Sequence, residues 1–185
     1  MSENLSKGVY ALFETSLGNF TAQLFLDKTP QTAQNFIDLA EGKKEHADPE
    51  TGKMVATRLF DGRKIFRILD GFMFQTGSAN DTNMYRAGFS VPDEICRDLT
   101  FTKAGLLAMA NAGPNTASCQ FFVTLGEAAF LNGGYTIFGE VVQGLDVVQK
   151  IGKVPTKVSP QNPRDGASLP VEMPVITKVA IQTVE

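Results

Sequence analysis

The chain is poor in the residues that most enzymes use for covalent or metal chemistry. Its 185 residues include no tryptophan, two cysteines and one histidine. Two cysteines in separate segments favour reduced thiols over a disulfide framework. A single histidine excludes most histidine-based metal sites and most Ser-His or Cys-His triads, unless His46 itself serves. Because His46 lies in the polar run 42–50, we expect it in a solvated loop.

Basic patches and long apolar runs are also missing. The net charge is -3, and lysine and arginine are scattered along the chain, which argues against nucleic acid or an anionic membrane surface as a partner. No apolar run approaches the ~18 residues that a membrane span needs. The N-terminus lacks the basic and apolar regions of a secretory signal. We therefore expect a cytoplasmic protein with no nucleic-acid or membrane partner.

Familiar catalytic motifs are absent as well. The sequence contains no Gly-x-Ser-x-Gly, phosphate-binding loop, dinucleotide fingerprint or Cys-x-x-Cys. Asp93 and Glu94 are adjacent, but the side chains of neighbours on an extended segment point to opposite sides. We therefore expect no catalytic site there that uses a pair of carboxylates. An enzyme with this sequence would have to work through positioning, one cation and amides, with no cofactor and no metal.

What the sequence does contain is an alternation of apolar and polar residues that is typical of strands. Residues 19–27 alternate cleanly, and residues 9–13 precede them with a hairpin turn at 16–19. Six further strands are predicted at 64–69, 72–76, 105–110, 119–124, 136–141 and 175–184. Strands from both ends of the chain favour a closed antiparallel barrel in a single domain, 1–185. Because a closed barrel has no free sheet edge, we expect a monomer.

Two helices interrupt the strands. Thr29 and Pro30 predict a helix start, with a capping hydroxyl and a proline in the first turn, and Gly42 predicts its end. Leu145, Val148 and Ile151 recur at three-residue spacing and predict a second, short helix. Residues 43–63 are read as a long exposed loop, and residues 161–166 as a turn-rich linker.

Arg67 is the most conspicuous charge, because it lies in the apolar stretch 65–69. A guanidinium cannot lose its proton in a protein, so it must be paired, reach water or line a pocket. Its apolar neighbours are expected in the barrel wall that holds it. A structural arginine that extends from the wall to water is the alternative.

The segment 109–124 is the second notable feature. It leaves a strand, passes through small and turn-forming residues, and enters another strand with paired aromatics. Ala110 would let a second backbone approach closely, and Asn111 and Gln120 offer amides that both donate and accept. This pattern predicts a peptide-binding groove. A loop in which Asn111 and Asn115 only satisfy turn backbone explains it equally well.

Five segments together carry a family resemblance. Residues 66–77, 107–116, 120–122, 130–133 and 138–141 resemble, in order, the motifs of cyclophilins, the peptidyl-prolyl cis-trans isomerases, and of bacterial members in particular. The similarity runs from about residue 9 to the C-terminus. It implies a mainly β fold, a closed eight-stranded antiparallel barrel capped by two α-helices. It also implies an enzyme that assists protein folding by isomerising X-Pro bonds in peptides and unfolded chains.

The resemblance also assigns roles to individual residues. Arg67 corresponds to the family's catalytic arginine, which would donate toward the prolyl nitrogen. The remaining positions form the substrate groove: the proline pocket (Phe72, Met73, Phe122, Leu131), the amides for the substrate backbone (Gln75, Asn111), a small rim residue (Ala110), a further amide (Gln120) and two bordering aromatics (Phe130, Tyr135).

Some positions depart from the pattern of many eukaryotic cyclophilins. Phe130 stands in place of a tryptophan that hydrogen-bonds the inhibitor cyclosporin, and Tyr135 stands in place of a histidine. Cyclosporin is therefore expected to bind only weakly.

Cys119 replaces a serine and is expected to be a buried packing thiol. The segment 43–57 resembles an insertion.

Two other functions compete with the isomerase. A non-catalytic module or chaperone could bind proline-containing peptides in the same groove. A hydrolase that uses His46 or Ser118 is a third hypothesis, with little support in the sequence. An isomerase assay on a proline peptide discriminates among the three.

Overall fold

The computed structural model describes residues 4–185, so the first three residues of the N-terminus, where no secretory signal is expected, lie outside it. Strands dominate these residues. Along the chain they are β1 (Gly8–Thr15), β2 (Gly18–Leu24), β3 (His46–Ala47), β4 (Met54–Val55), β5 (Arg63–Lys64), β6 (Arg67–Leu69), β7 (Met73–Thr76), β8 (Leu106–Met109), β9 (Phe121–Thr124), β10 (Ile137–Gln143), β11 (Thr156–Val158), β12 (Ala167–Pro170) and β13 (Val175–Val184). The α-helices are α1 (Pro30–Glu41) and α2 (Leu145–Ile151), and two 3-10 turns lie at Ala129–Leu131 and Pro163–Asp165.

Nine of these strands form one curled sheet, in the order β5-β13-β1-β2-β10-β8-β9-β7-β6. The mainly β class with two helices is confirmed, but the closed eight-stranded barrel is wrong, because the sheet is an open half-barrel. The predicted strand 64–69 is broken in two. Arg63–Lys64 pairs with β13 and Arg67–Leu69 pairs with β7, so β5 and β6 become the two edges of the sheet. Barrel closure therefore no longer supports the expectation of a monomer.

The first helix begins at Pro30 and ends before Gly42, which adopts the left-handed conformation at φ 74°. The predicted cap at Thr29 is wrong: this hydroxyl is buried and donates to the Phe25 carbonyl. The carboxylate of Glu94 caps the helix instead, accepting the backbone N–H groups of Gln31 at 3.2 Å and Thr32 at 2.6 Å. A carboxylate is favourable there because it pairs orphan N–H groups at the positive end of the helix dipole.

Alternate residues on the central strands divide the protein into two apolar clusters. Phe74, Phe121 and Val123 face the main core beneath α1. Their neighbours Met73 and Phe122 face the opposite side of the sheet, where they form a smaller cluster with Phe101, Leu106, Ala108, Ala128 and Ile137. This alternation follows from the two-residue period of a strand. It supplies an apolar floor outside the main core.

The segment 43–63 is only in part the exposed loop that its polar composition predicts. It forms the β3–β4 hairpin, and it then contributes Leu59 and Phe60 to the main core. The Phe60 ring stacks on Phe36 with centroids 4.7 Å apart and meets the edge of Phe121 at 5.4 Å. The C-terminal part of the segment is therefore in the hydrophobic core.

His46 is likewise not solvated, since only 3% of it is exposed. Its Nε2 lies 2.9 Å from the Thr57 hydroxyl, and its Nδ1 lies 3.2 Å from the Tyr85 hydroxyl. Burial lowers the pKa of His46 from its ordinary value of 6.5, and the positive charge of Arg63 lowers it slightly further. The Ala47 carbonyl and Asp48 raise the pKa, but they offset the effect of burial only in part. The His46 side chain therefore connects the segment 43–57 to the segment around Tyr85.

Acidification is expected to destabilise the protein through His46. Its pKa is lower in the folded state, so the unfolded chain binds a proton first. The free energy of unfolding should therefore be level above about pH 6.5 and should fall below it, by at most about 1.4 kcal/mol per pH unit from this group. Urea unfolding of wild type and His46→Gln across this range measures the difference in slope. An equal slope in both proteins would contradict the assignment.

Cys119 is the buried packing thiol that the sequence predicts. It is 1% exposed in the main core, and burial raises the pKa of its thiol to about 12. Such a thiol is inert, because the thiolate is the reactive form.

None of the helices within residues 4–185 has the length and hydropathy to cross a bilayer.

Candidate functional site

One groove of about 730 Å³ runs across the outer face of the sheet. It brings together Arg67 and all ten residues that the sequence assigns to substrate binding. They are Phe72, Met73, Gln75, Ala110, Asn111, Gln120, Phe122, Phe130, Leu131 and Tyr135. Residues more than 60 positions apart therefore share one surface, although the roles assigned to them stay predictions.

Strand register explains why the polar and apolar halves of the groove adjoin. Arg67 on β6 pairs with Gln75 on β7, and Gln75 pairs with Phe122 on β9. Directly paired residues point to the same face of a sheet, so these three side chains form a row. Met73, two residues before Gln75, lies on the same face.

The polar half is a chain of hydrogen bonds that begins at a carboxylate. Arg67 donates from Nε to Asp165 Oδ2 at 2.8 Å and from Nη2 to Asp165 Oδ1 at 3.2 Å. Its Nη1 donates to Gln75 Oε1 at 3.0 Å, and Gln75 Nε2 donates to Gln120 Oε1 at 2.9 Å. Gln120 Nε2 lies 3.5 Å from the Tyr85 carbonyl. The guanidinium is therefore held on two sides, and three of its five N–H groups are used.

The apolar half has a buried floor and an aromatic rim. Met73 and Phe122 are 2% and 5% exposed, whereas Phe130 is 76% exposed. The Phe130 ring packs on Phe72 with centroids 5.2 Å apart, and Tyr135 meets Phe122 edge-on at 5.7 Å. A shallow apolar cup of this kind can take a small ring.

Asn111 uses its side chain within the protein. Its Nδ2 donates to the Gly134 carbonyl at 2.9 Å, and its Oδ1 accepts the Gly113 N–H at 3.2 Å. Within residues 4–185, its backbone N–H and carbonyl have no hydrogen-bond partner. The backbone of Asn111 is thus the part that is available to a bound peptide.

Several groove residues escaped the sequence analysis. The missed lining residues are Asn83, Met84, Tyr85 and Arg86, whereas Ala112, Thr116 and Ser118 lie within the predicted groove segment 109–124 without having been assigned to substrate binding. Asp165 was also missed, because it lies 98 positions after Arg67 in a segment read as a linker. The only available signal was that an arginine within an apolar stretch requires a counter-charge or contact with water.

The hydrolase hypothesis finds no support in the geometry. Both ring nitrogens of His46 are engaged, with Thr57 on one side and with Tyr85 on the other. Ser118 lines the groove, but its hydroxyl has no histidine partner among residues 4–185. In the same part of the chain, no cluster of three or more His, Cys, Asp or Glu side chains could hold a metal ion.

The geometry defines a peptide-sized groove that combines an apolar cup with a fixed cation. Comparison with known proteins agrees with it. A family model described as cyclophilin type peptidyl-prolyl cis-trans isomerase/CLD matches residues 10–179. Peptidyl-prolyl cis-trans isomerase B of Streptomyces anulatus is 39% identical over 181 residues, covering 97% of this chain and 99% of the relative.

Two further comparisons extend this result. Peptidyl-prolyl cis-trans isomerase A of Mycobacterium tuberculosis is 36% identical over 173 residues, covering 92% of this chain and 91% of the relative. The crystal structure of a cyclophilin type peptidyl-prolyl cis-trans isomerase of Cryptosporidium parvum shares the fold with a TM-score of 0.78. That match covers 95% of this chain and 98% of the other at 23% identity.

The chain therefore belongs to the cyclophilin-type peptidyl-prolyl cis-trans isomerase family. The family resemblance and the enzyme class predicted from the motifs are confirmed, with bacterial isomerases among the similar relatives.

Proposed function

We propose that this protein accelerates rotation about X-Pro bonds without covalent chemistry, with Arg67 as the donor toward the prolyl nitrogen. The observation that carries this proposal is the pairing of a guanidinium held on two sides with an adjoining apolar cup. A held donor needs little reorganisation when the substrate distorts, so it favours the distorted state.

Amide resonance is what resists rotation, with a barrier of ~18–20 kcal/mol. Twisting the bond localises the lone pair on the prolyl nitrogen, and a donor aimed at that nitrogen stabilises the twisted amide more than the planar one. A millionfold acceleration requires only ~8 kcal/mol of such differential binding. No proton has to be transferred.

The remaining groove residues would hold the peptide around the twisting bond. The proline ring enters the cup formed by Phe72, Met73, Phe122 and Leu131. The free backbone of Asn111 and the Gln75 amide bind the peptide backbone. A solved relative described in the presence of the dipeptide Ala-Pro, with a TM-score of 0.78, supports this class of ligand. Proline-containing peptides and unfolded chains are the substrates we propose.

In the cell the protein would assist folding by isomerising exposed X-Pro bonds, as a cytoplasmic monomer. The net charge of -3 supports peptides over nucleic acid as partners. Slow prolyl isomerisation limits the folding of many chains, so an isomerase of broad specificity has many clients.

A non-catalytic peptide-binding module or chaperone is the second candidate. The exposed apolar side chains of Phe130 and Met84 at the groove favour it, because they would bind apolar segments with or without a proline. A protease-coupled isomerase assay on a proline tetrapeptide separates the two functions. We expect rate enhancement; binding of the peptide without any enhancement would support the module instead.

Cyclosporin binding is expected to be weak and to improve in Phe130→Trp. The indole N–H would add a donor at an exposed rim position, where one hydrogen bond to a neutral acceptor contributes about 0.5–1.5 kcal/mol. Titration calorimetry with cyclosporin should therefore give about a 2- to 12-fold lower Kd for the variant. Phe130→Leu is the matched control, which removes the aromatic ring without adding a donor. An unchanged Kd in Phe130→Trp would contradict this reason for weak binding.

A further inference from the structure

The partner of Arg67 comes from a part of the chain outside the motifs that carry the family resemblance. Asp165 accepts two N–H groups of the guanidinium through both of its carboxylate oxygens. The two side chains are 29% and 21% exposed, so the pair is only partly screened by water. A two-point contact of this kind fixes the plane of the guanidinium as well as its position.

Asp165 is held in place by its own segment, residues 155–171, which we call the arm. The arm is a β11–β12 hairpin whose loop ends in the 3-10 turn Pro163–Asp165. The Asp165 N–H donates to the Asn162 carbonyl at 3.1 Å. The Asn162 side chain accepts a hydrogen bond from Asn83, which lines the groove. The carboxylate is therefore presented by an ordered loop that is anchored beside the groove.

Asp165 itself does not line the groove, whereas Arg67 does. The carboxylate holds one side of the guanidinium and Gln75 holds another, which leaves two N–H groups for a bound peptide. Without the carboxylate, a long and flexible arginine would gain rotamers and extend toward water. The donor would then spend only part of its time aimed at the prolyl nitrogen.

We propose that Asp165 is a positioning residue for catalysis, which acts through Arg67 by fixing the orientation of its guanidinium. This inference rests on the proposed role of Arg67. It assigns to the arm a part in the reaction, although no atom of Asp165 has to touch the substrate.

The test compares kcat and KM for a proline peptide in wild type, Asp165→Asn and Asp165→Glu. A misplaced catalytic group costs up to about 100-fold, so we expect Asp165→Asn to lower kcat about tenfold with KM nearly unchanged. Asp165→Glu should recover part of the loss, because it restores the charge. Asp70→Asn is the matched control, since Asp70 pairs with the exposed Lys153 and not with Arg67. It should retain wild-type kinetics.

A double-mutant cycle distinguishes positioning from general stabilisation. In an Arg67→Ala background, Asp165→Asn should have no further effect on the residual rate. The NMR signal of the Arg67 Nε–H should be protected from exchange in wild type and unprotected in Asp165→Asn. The exchange of the Arg67 Nε–H reports on the Arg67–Asp165 contact in any variant that keeps its fold. If Asp165→Asn does not fold, the exchange is measured in Asp165→Glu instead.

Three results would overturn the inference. The first is a wild-type kcat in Asp165→Asn. The second is an increased kcat in this variant, which would mean that Asp165 competes with the substrate for Arg67. The third is that Asp165→Asn lowers kcat by the same factor in wild type and in the Arg67→Ala background. The proposed function fails separately, if Arg67→Ala alone keeps full activity.

Discussion

Replacing Arg67 by alanine is expected to lower kcat/KM for prolyl isomerisation by about 10²- to 10³-fold, the loss typical when one preorganised donor is removed from an active site. The substitution removes the donor at the prolyl nitrogen and leaves the apolar cup of Met73 and Phe122 in place. Peptide affinity should therefore change much less than the rate. A protease-coupled assay and circular dichroism measure activity and fold on the same samples.

Arg67→Lys separates charge from geometry. Lysine keeps the positive charge but presents a point charge on a flexible stem, which cannot make the two-point contact with Asp165 and reach Gln75 at once. Most of the activity should be lost in this variant too. Arg97→Ala is the matched control, because Arg97 is exposed and does not line the groove. Near-wild-type activity in Arg67→Lys would mean that charge alone is sufficient.

Phe60→Ala is expected to destabilise the protein by about 3–5 kcal/mol, the usual cost of truncating a buried aromatic. Phe60 is 1% exposed and contacts the rings of Phe36 and Phe121. The cavity would open between α1 and the sheet, beside the rings of Phe36 and Phe121. Chemical denaturation measures the free energy of unfolding.

Glu45→Ala is the control for that experiment. It removes an exposed side chain from the same segment, and surface substitutions of this kind usually change stability by no more than about 0.5 kcal/mol. A loss below about 1 kcal/mol in Phe60→Ala would contradict the placement of this segment in the core.

Both helices and the strands of the nine-stranded sheet could be predicted because each carries its own local pattern, whereas the short hairpins β3–β4 and β11–β12 were not predicted. The helix 145–151 and the strand 175–184 have the predicted bounds. Closure of the sheet could not be predicted in the same way, because it depends on which strands pair. The run 64–69 has the composition of one strand, but its two halves hydrogen-bond to β13 and to β7. The local pattern of a strand does not identify the strand with which it pairs.

The segment 43–63 shows the opposite failure, in which polar composition hides buried residues. More than half of its residues are exposed, yet His46, Leu59 and Phe60 are buried. The adjacent apolar pair at 59–60 was the available signal. For His46, burial is possible because Thr57 of the same segment and Tyr85, 39 positions later, contact its ring nitrogens.

The groove could be predicted where its residues belong to recognisable motifs, and it could not be predicted elsewhere. Residues 66–77 and 107–122 carry most of its lining. Met84 and Arg86 lie in a segment without regular structure, and Asp165 is contributed by the arm. The spacing of residues along the sequence does not reveal an ion pair between distant segments. The charge on Arg67 demanded a partner, but only the fold identifies it.

The most direct test of the account is the rate of isomerisation on the enzyme, measured by NMR exchange at saturating proline peptide in wild type and Arg67→Ala. Interactions that act only in the transition state change this rate and leave Kd unchanged. We predict a rate lower by about 10²-fold or more, with Kd within a few-fold. An unchanged rate on the enzyme with a weaker Kd would show that Arg67 only binds the substrate, and would contradict its role as the donor to the twisting amide.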